Sequence, residues 1–157
     1  MLQVTVVVPA YNMERFLRFT LNSILSQSMH NFECIIVNDH STDNTAQIAL
    51  EFVRKDSRFS LITHKVNSGL GASRNTGIRL ARAPLITFLD ADDLMMVDSL
   101  ANRASVLLKN RLPHFIGTYC GSVTIPEQAE LPPNSTKTKK MNFVDFISTA
   151  GKCPFNA

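Results

Sequence analysis

Short apolar runs alternate with stretches of helical periodicity along most of this chain. Val4-Thr5-Val6-Val7-Val8 is β-branched throughout and is closed by Pro9. A continuous apolar run of this kind fits a strand buried on both faces. Leu17, Leu21, Ile24 and Leu25 then recur at the spacing of an amphipathic helix. A second strand is read at residues 32–37, closed by Asn38-Asp39. Ser41-Thr42-Asp43 offers caps for a second helix, with Ile48, Ala49, Phe52 and Val53 on its inner face. A third strand at 59–63 leads into a glycine-bearing loop, Asn67-Ser68-Gly69-Leu70-Gly71. The helix after it runs through Ile78 and Ala81 and is ended by Pro84. Leu85 to Leu89 form a fourth strand that delivers Asp90-Ala91-Asp92-Asp93. Leu100, Ala104, Leu107 and Leu108 mark another helix. A strand is read at 115–125, a polar loop at 126–140 and a last helix at 143–150. Strands separated by helices predict an α/β fold: a mostly parallel sheet, Rossmann-like, flanked by helices.

Composition narrows the function classes. The 157 residues suffice for one domain with a core, and no internal repeat is present. A formal net charge of +3, without a dense basic stretch, gives no footprint for nucleic acid. Lys137, Lys139 and Lys140 read as solvated loop. Cys34, Cys120 and Cys153 match no metal-ligand spacing, and Cys34 sits in an apolar run as a small core residue. Asn134-Ser135-Thr136 has the form of a glycosylation sequon, read as chance without a signal peptide. No apolar stretch is long enough to span a bilayer.

Ligands of open parallel sheets bind beyond the carboxyl ends of the strands. Three polar signatures fall there: Pro9-Ala10-Tyr11-Asn12, Asp39, and Asp90-Ala91-Asp92. Clustered carboxylates need a cation or several donors to stay ionised together, and hard oxygen ligands favour Mg²⁺ or Mn²⁺. The plainer reading is that Asp90 to Asp93 cap the following helix, which suits Asp93 best. A proline and a tyrosine at a strand end can sandwich a flat base, or simply form a turn. Asp39 can accept the imide N–H of a uracil, or close a turn. Arg74 supplies positive charge or stacking, or is an exposed helix arginine.

Together these blocks resemble glycosyltransferase family 2. Val8-Pro9-Ala10-Tyr11-Asn12 with Glu14, and Val37-Asn38-Asp39-His40-Ser41-Thr42-Asp43, are similar to the family's opening. Asn67-Ser68-Gly69 with Ala72-Ser73-Arg74-Asn75 and Gly77 resembles its third block. Phe88-Leu89-Asp90-Ala91-Asp92-Asp93 resembles its D-x-D motif. The blocks come in the family's order over residues 4–110. The resemblance implies the GT-A fold and inverting transfer of a sugar from a nucleotide diphosphate, UDP foremost. It implies a carbohydrate or lipid-linked acceptor and a role in cell-surface polysaccharide or glycoconjugate synthesis. It also implies a cytoplasmic location, peripheral to the inner face of the membrane in the full-length protein. Pro9, Tyr11, Asp39 and Arg74 would contact the nucleoside, Asp90 would lie near the ribose, and Asp92 would hold the metal. The candidate donor-site residues are thus Pro9, Ala10, Tyr11, Asn12, Asp39, Arg74, Asp90, Ala91 and Asp92. Asp92 and Asp90 are the candidate ligands for Mg²⁺ or Mn²⁺. His40 stands where a glycine or acidic residue is common.

The family draws an acidic catalytic base from a later segment, and Glu127 and Glu130 carry no matching context. The base is therefore expected beyond Ala157. The chain reads as a single domain, 1–157, cut short at its C-terminal end: 1–110 binds the donor and 111–157 begins the acceptor side. Three other readings compete. In a nicotinamide oxidoreductase the glycine pair would follow the first strand, whereas Gly69-Leu70-Gly71 follows the third, with Arg74 in place of a third glycine. A Mg²⁺-binding phospho-acceptor signalling domain needs its acidic pair after the first strand, where this chain has Pro9-Ala10-Tyr11. A module that only binds a nucleotide sugar fits the same residues.

Overall fold

The computed structural model of the chain describes residues 1–109. They fall within one compact unit, Met1–Ser122; a second, Val123–Ala157, lies wholly outside the described residues. So do the expected strand at 115–125, the loop and helix after it, Glu127, Glu130, Cys120, Cys153 and the lysines at 137–140.

The elements are β1 (Val4–Ala10), α1 (Leu17–Leu25), β2 (Phe32–Asn38), α2 (Thr45–Lys55), β3 (Phe59–Thr63), α3 (Gly69–Leu80), β4 (Leu85–Phe88) and α4 (Ser99–Lys109). The four strands form one parallel sheet in the order β3-β2-β1-β4. The chain steps outward from β1 to β3, then returns past β1 to lay down β4. Right-handed crossovers put helices of the outward steps on one face and the returning helix on the other. The two cores follow this rule. Val4, Val6, Val8, Phe32, Cys34 and Ile36 pack with α1, α2 and α4 on one face. Val7, Ile35 and Val37 face α3 on the other. β1 and β2 are buried at every position, as the unbroken apolar runs predict.

Several boundaries differ from the sequence reading: β2 runs one residue further, to Asn38, and β4 ends one residue earlier, at Phe88. β1 does not stop at Pro9 but runs through it to Ala10. Val7 O accepts from Leu89 N, so residues 7 and 9 turn their backbone polar groups toward β4. The β4 ladder ends at Phe88, opposite Val7, so the missing proline N–H forfeits no sheet bond. The loop read at 67–71 is half helix, since α3 already starts at Gly69. That residue has φ +85°, a conformation open to glycine. At its other end α3 stops at Leu80, before Pro84. The Arg82 amide donates to Glu33 Oε1 (2.7 Å) and the Ala83 amide to Thr5 Oγ1 (3.3 Å), which draws the chain onto the sheet.

Candidate functional site

The reversal of strand order between β1 and β4 opens a crevice at their carboxyl ends, the place where such sheets take ligands. A cleft of about 360 Å³ occupies it. Pro9, Ala10, Tyr11, Asp39, Asp90, Ala91 and Asp92 line it, joined by Met13, Asn67, Gly69, Leu70 and Ser73. Seven of the nine sequence-derived donor-site residues therefore share one cleft. Asn12 and Arg74 do not line it.

The β1–α1 loop is fixed by a reciprocal clasp with the β2–α2 loop. The Asn12 amide donates to Ser41 Oγ (3.0 Å), and Asn12 Oδ1 accepts the Thr42 amide (2.8 Å). The Met13 amide donates to Thr45 Oγ1 (2.7 Å) and the Glu14 amide to Asp43 Oδ2 (3.0 Å); Glu14 Oε2 accepts from the Asn44 amide (3.0 Å). Asp43 Oδ1 also takes the Thr45 amide at the start of α2. Asn12 and His40 adopt positive φ, 53° and 62°, directly after Tyr11 and Asp39. Asparagine tolerates that region better than most side chains. The motif residues Asn12, Glu14 and Asp43 thus hold the rim together rather than face the cleft.

Asp39 is buried, with 4% of its side chain exposed. Oδ1 accepts from His64 Nδ1 (2.7 Å) and the Ser68 amide (2.8 Å), and Oδ2 accepts from the Gly69 amide (2.6 Å). Burial by itself raises this carboxyl. The Ser68 amide, His64 and the Gly69 amide together outweigh burial and hold it below the usual carboxylate range. An ionised Asp39 makes Nδ1 of His64 the donor, and His64 Nε2 reaches Thr76 Oγ1 at 3.0 Å. Sequence reasoning missed His64. Its signal is position, since it follows β3 on the same rim as Asp39.

The Asp90–Asp92 loop is stitched to α1 and the turn after it. Thr20 Oγ1 donates to the buried Ala91 carbonyl (2.7 Å), and the Met95 amide donates to Ser23 Oγ (3.0 Å). Gln27 Nε2 donates to the Met96 carbonyl (2.8 Å) while its Oε1 accepts the Leu100 amide (3.0 Å). Arg74 pairs with Asp90 Oδ1 at 2.8 Å and lies 5.7 Å from the Phe88 ring centroid. Asp92 is exposed and has no hydrogen-bond or ion-pair partner among the described residues. Burial first, and then the charges of Asp92 and Asp90, push the neighbouring Asp93 carboxyl up.

Comparison with known proteins agrees with this geometry. The profile for Glycosyl transferase family 2 matches residues 5–157. A relative from Escherichia coli, named UDP-Glc:alpha-D-GlcNAc-diphosphoundecaprenol beta-1,3-glucosyltransferase WfgD, is 35% identical over 116 residues, covering 74% of this chain and 45% of its own. The crystal structure of S. aureus TarS 1-349 in complex with UDP-GlcNAc superposes with a TM-score of 0.64 at 31% identity, over 69% of this chain and 31% of that one. Mannosyltransferase PcManGT from Pyrobaculum calidifontis, solved with GDP-Man and Mn²⁺, gives 0.56 at 27% identity, over 59% and 28%. The chain thus spans less than half the length of each of these proteins. The fold is the GT-A type of these neighbours, and the chain belongs to glycosyltransferase family 2.

Proposed function

We propose that this chain binds a uridine diphosphate sugar together with a divalent cation, and that the whole protein transfers the sugar, with inversion, to an acceptor hydroxyl. The supporting observation is that Pro9, Tyr11, Asp39, Asp90 and Asp92 line one cleft at the strand-order reversal. TarS, solved with UDP-GlcNAc, and WfgD, named for a UDP-Glc donor, lend the same support. The lipid-linked diphosphate in WfgD's name points to a carbohydrate or lipid-linked acceptor, in surface polysaccharide or glycoconjugate synthesis.

Asp39 has one Oδ2 lone pair left after its three donors. That lone pair suits the imide N–H of uracil and repels the unprotonated N3 of cytosine. Tyr11 and Pro9 flank the base. Among the described residues no cluster of three or more His, Cys, Asp or Glu side chains could cage a metal. One free carboxylate, Asp92, and one shared with Arg74, Asp90, instead fit Mg²⁺ or Mn²⁺, which take remaining ligands from phosphate oxygens and water. The Mn²⁺ in the PcManGT complex accords with this. Such an ion, when bound, neutralises the diphosphate as it leaves. The acceptor hydroxyl gives its proton to a base that we assign outside residues 1–109, and its oxygen displaces the diphosphate through an oxocarbenium-like transition state. Calorimetric titration with UDP, CDP and GDP tests the assignment. UDP is expected to bind tightest, and CDP binding as tightly as UDP would overturn the role given to Asp39.

A further inference from the structure

One polar group in the cleft wall has no partner. Ser73 is 1% exposed, and its Oγ makes no hydrogen bond. A serine inside a helix ordinarily bonds back to a carbonyl one turn earlier. This hydroxyl does not, and no described protein group repays its desolvation. Gly69, Ser73 and Gly77 follow at intervals of four, on one face of α3. Gly77 marks that face as the sheet side, because a Cβ there would meet Val7. Helical side chains lean toward the helix N-terminus, so Ser73 leans toward Gly69. The Gly69 amide is bonded to Asp39 Oδ2, the oxygen with a free lone pair. Ser73 and Asp39 both line the cleft, and the first turn of α3 joins them through the Gly69 amide.

We propose that Ser73 reads the base of the donor nucleotide, its hydroxyl donating to the ring carbonyl adjacent to the imide N–H that Asp39 accepts. The inference rests on the uridine diphosphate reading above and adds to it a second point of recognition. Uracil presents carbonyl, N–H, carbonyl along that edge. A carboxylate beside a hydroxyl matches two neighbouring positions of the three, and base binding supplies the partner that Ser73 lacks in the free protein.

The test is calorimetry of the 157-residue chain and its Ser73→Ala variant with UDP, 2-thio-UDP and 4-thio-UDP, beside thermal melts without nucleotide. Sulfur is a poor acceptor, so replacing the contacted carbonyl weakens binding to the unsubstituted chain. Ser73→Ala is expected to bind UDP about three- to tenfold more weakly, the worth of one hydrogen bond. It should also lose discrimination against one thio analogue, which names the carbonyl. Its melting temperature should be unchanged or higher, because an unpaired buried hydroxyl has been removed. Unchanged UDP affinity in the variant overturns the inference, as does parent-like discrimination against both analogues. Weaker binding with a lowered melting temperature overturns it too, by assigning Ser73 to helix packing. No UDP binding by the unsubstituted chain sinks the donor-site reading itself, a separate outcome.

Discussion

Aspartates 39, 90 and 92 carry one functional group into three environments. Asp39 is buried under three donors, Asp90 is half-exposed against Arg74, and Asp92 stands in solvent without a described partner. Fixed donors hold Asp39 rigid, as the proposed reading of the base requires, and Asp92, without a partner among the described residues, is open to the proposed cation. Asp92→Asn keeps the shape and removes one charge. Charge-assisted contacts are worth about 1.5–3 kcal/mol, so UDP affinity in the presence of Mn²⁺ should fall about ten- to hundredfold. Affinity without metal should stay the same, and so should the melting temperature, since exposed substitutions of this kind rarely move stability. Titrations with Mn²⁺ and with a chelator check this, and undiminished metal dependence would remove Asp92 from the ligand set. Much of this site was legible because strand ends are predictable and the acidic and aromatic residues sit directly on them. His64 and Ser73 were not, because His64 matters through its bond to Asp39, 25 residues away in sequence, and Ser73 through its place in the cleft wall. Asn12 is read as a donor contact from its motif, yet its side-chain Oδ1 accepts the Thr42 amide of the next loop, a contact that spacing does not reveal.

Among the elements, α3 ties the fold most closely to the site. Its amino end engages Asp39, and its middle rests on β1 without a side chain between. A Cβ at Gly77 would lie 2.2 Å and 2.7 Å from the two Cγ atoms of Val7 and 3.0 Å from its Cβ. Alanine favours a helix over glycine by about 1 kcal/mol. Overpacking at these distances costs about 1–3 kcal/mol, so the net effect is loss. Gly77→Ala should therefore lower the melting temperature, and by shifting α3 it should weaken UDP binding as well. Val7→Ala deletes two of the three opposing atoms, so the paired variant should lose less than the sum of the singles. Denaturant unfolding of the four proteins gives the answer, and strict additivity would show that contact with Val7 is not the cause. The periodicity of α3 was readable from Ile78 and Ala81, but its limits were not. Its start depends on a carboxylate that receives the Ser68 and Gly69 amides, and its end on Glu33 drawing away the Arg82 amide. Both acceptors come from β2 or its end, some 30 to 50 residues back along the chain.

At the scale of the whole molecule, the described fold keeps several carboxylates charged inside or against its sheet. Glu33 is the clearest: 6% of its side chain is exposed, and it accepts from Thr5 Oγ1, the Arg82 amide and the Arg82 guanidinium. Burial raises its carboxyl, but the Arg82 amide, the Thr5 hydroxyl and the Arg82 side chain outweigh burial and leave it lowered. Asp39, Asp43 and Asp56 are also lowered, and among the described carboxyls only Asp93 is raised. For a lowered carboxyl, the unfolded chain takes up its proton first as pH falls. Its stabilisation is thus complete above the ordinary carboxyl values, about 3.9 to 4.3, and is lost progressively below them. Asp93 works in the opposite sense, since ionising it in the folded state is unfavourable, and one such group offsets only part of the four. Melting temperature should therefore hold between about pH 5 and 7 and fall steeply below about pH 4. Glu33→Gln isolates one of these groups. Arg82 is exposed and turns to water when its partner goes, so at pH 7 the cost is that of lost hydrogen bonds, about 1–3 kcal/mol, not that of a stranded buried charge. Below the ordinary carboxyl range the unfolded parent takes up the Glu33 proton first, so the parent's advantage drains away and the two melting temperatures should converge. Thermal melts of both proteins from pH 3 to 7 check this, and a gap that stays constant across the range would show that Glu33 stabilises by shape and packing instead of by charge.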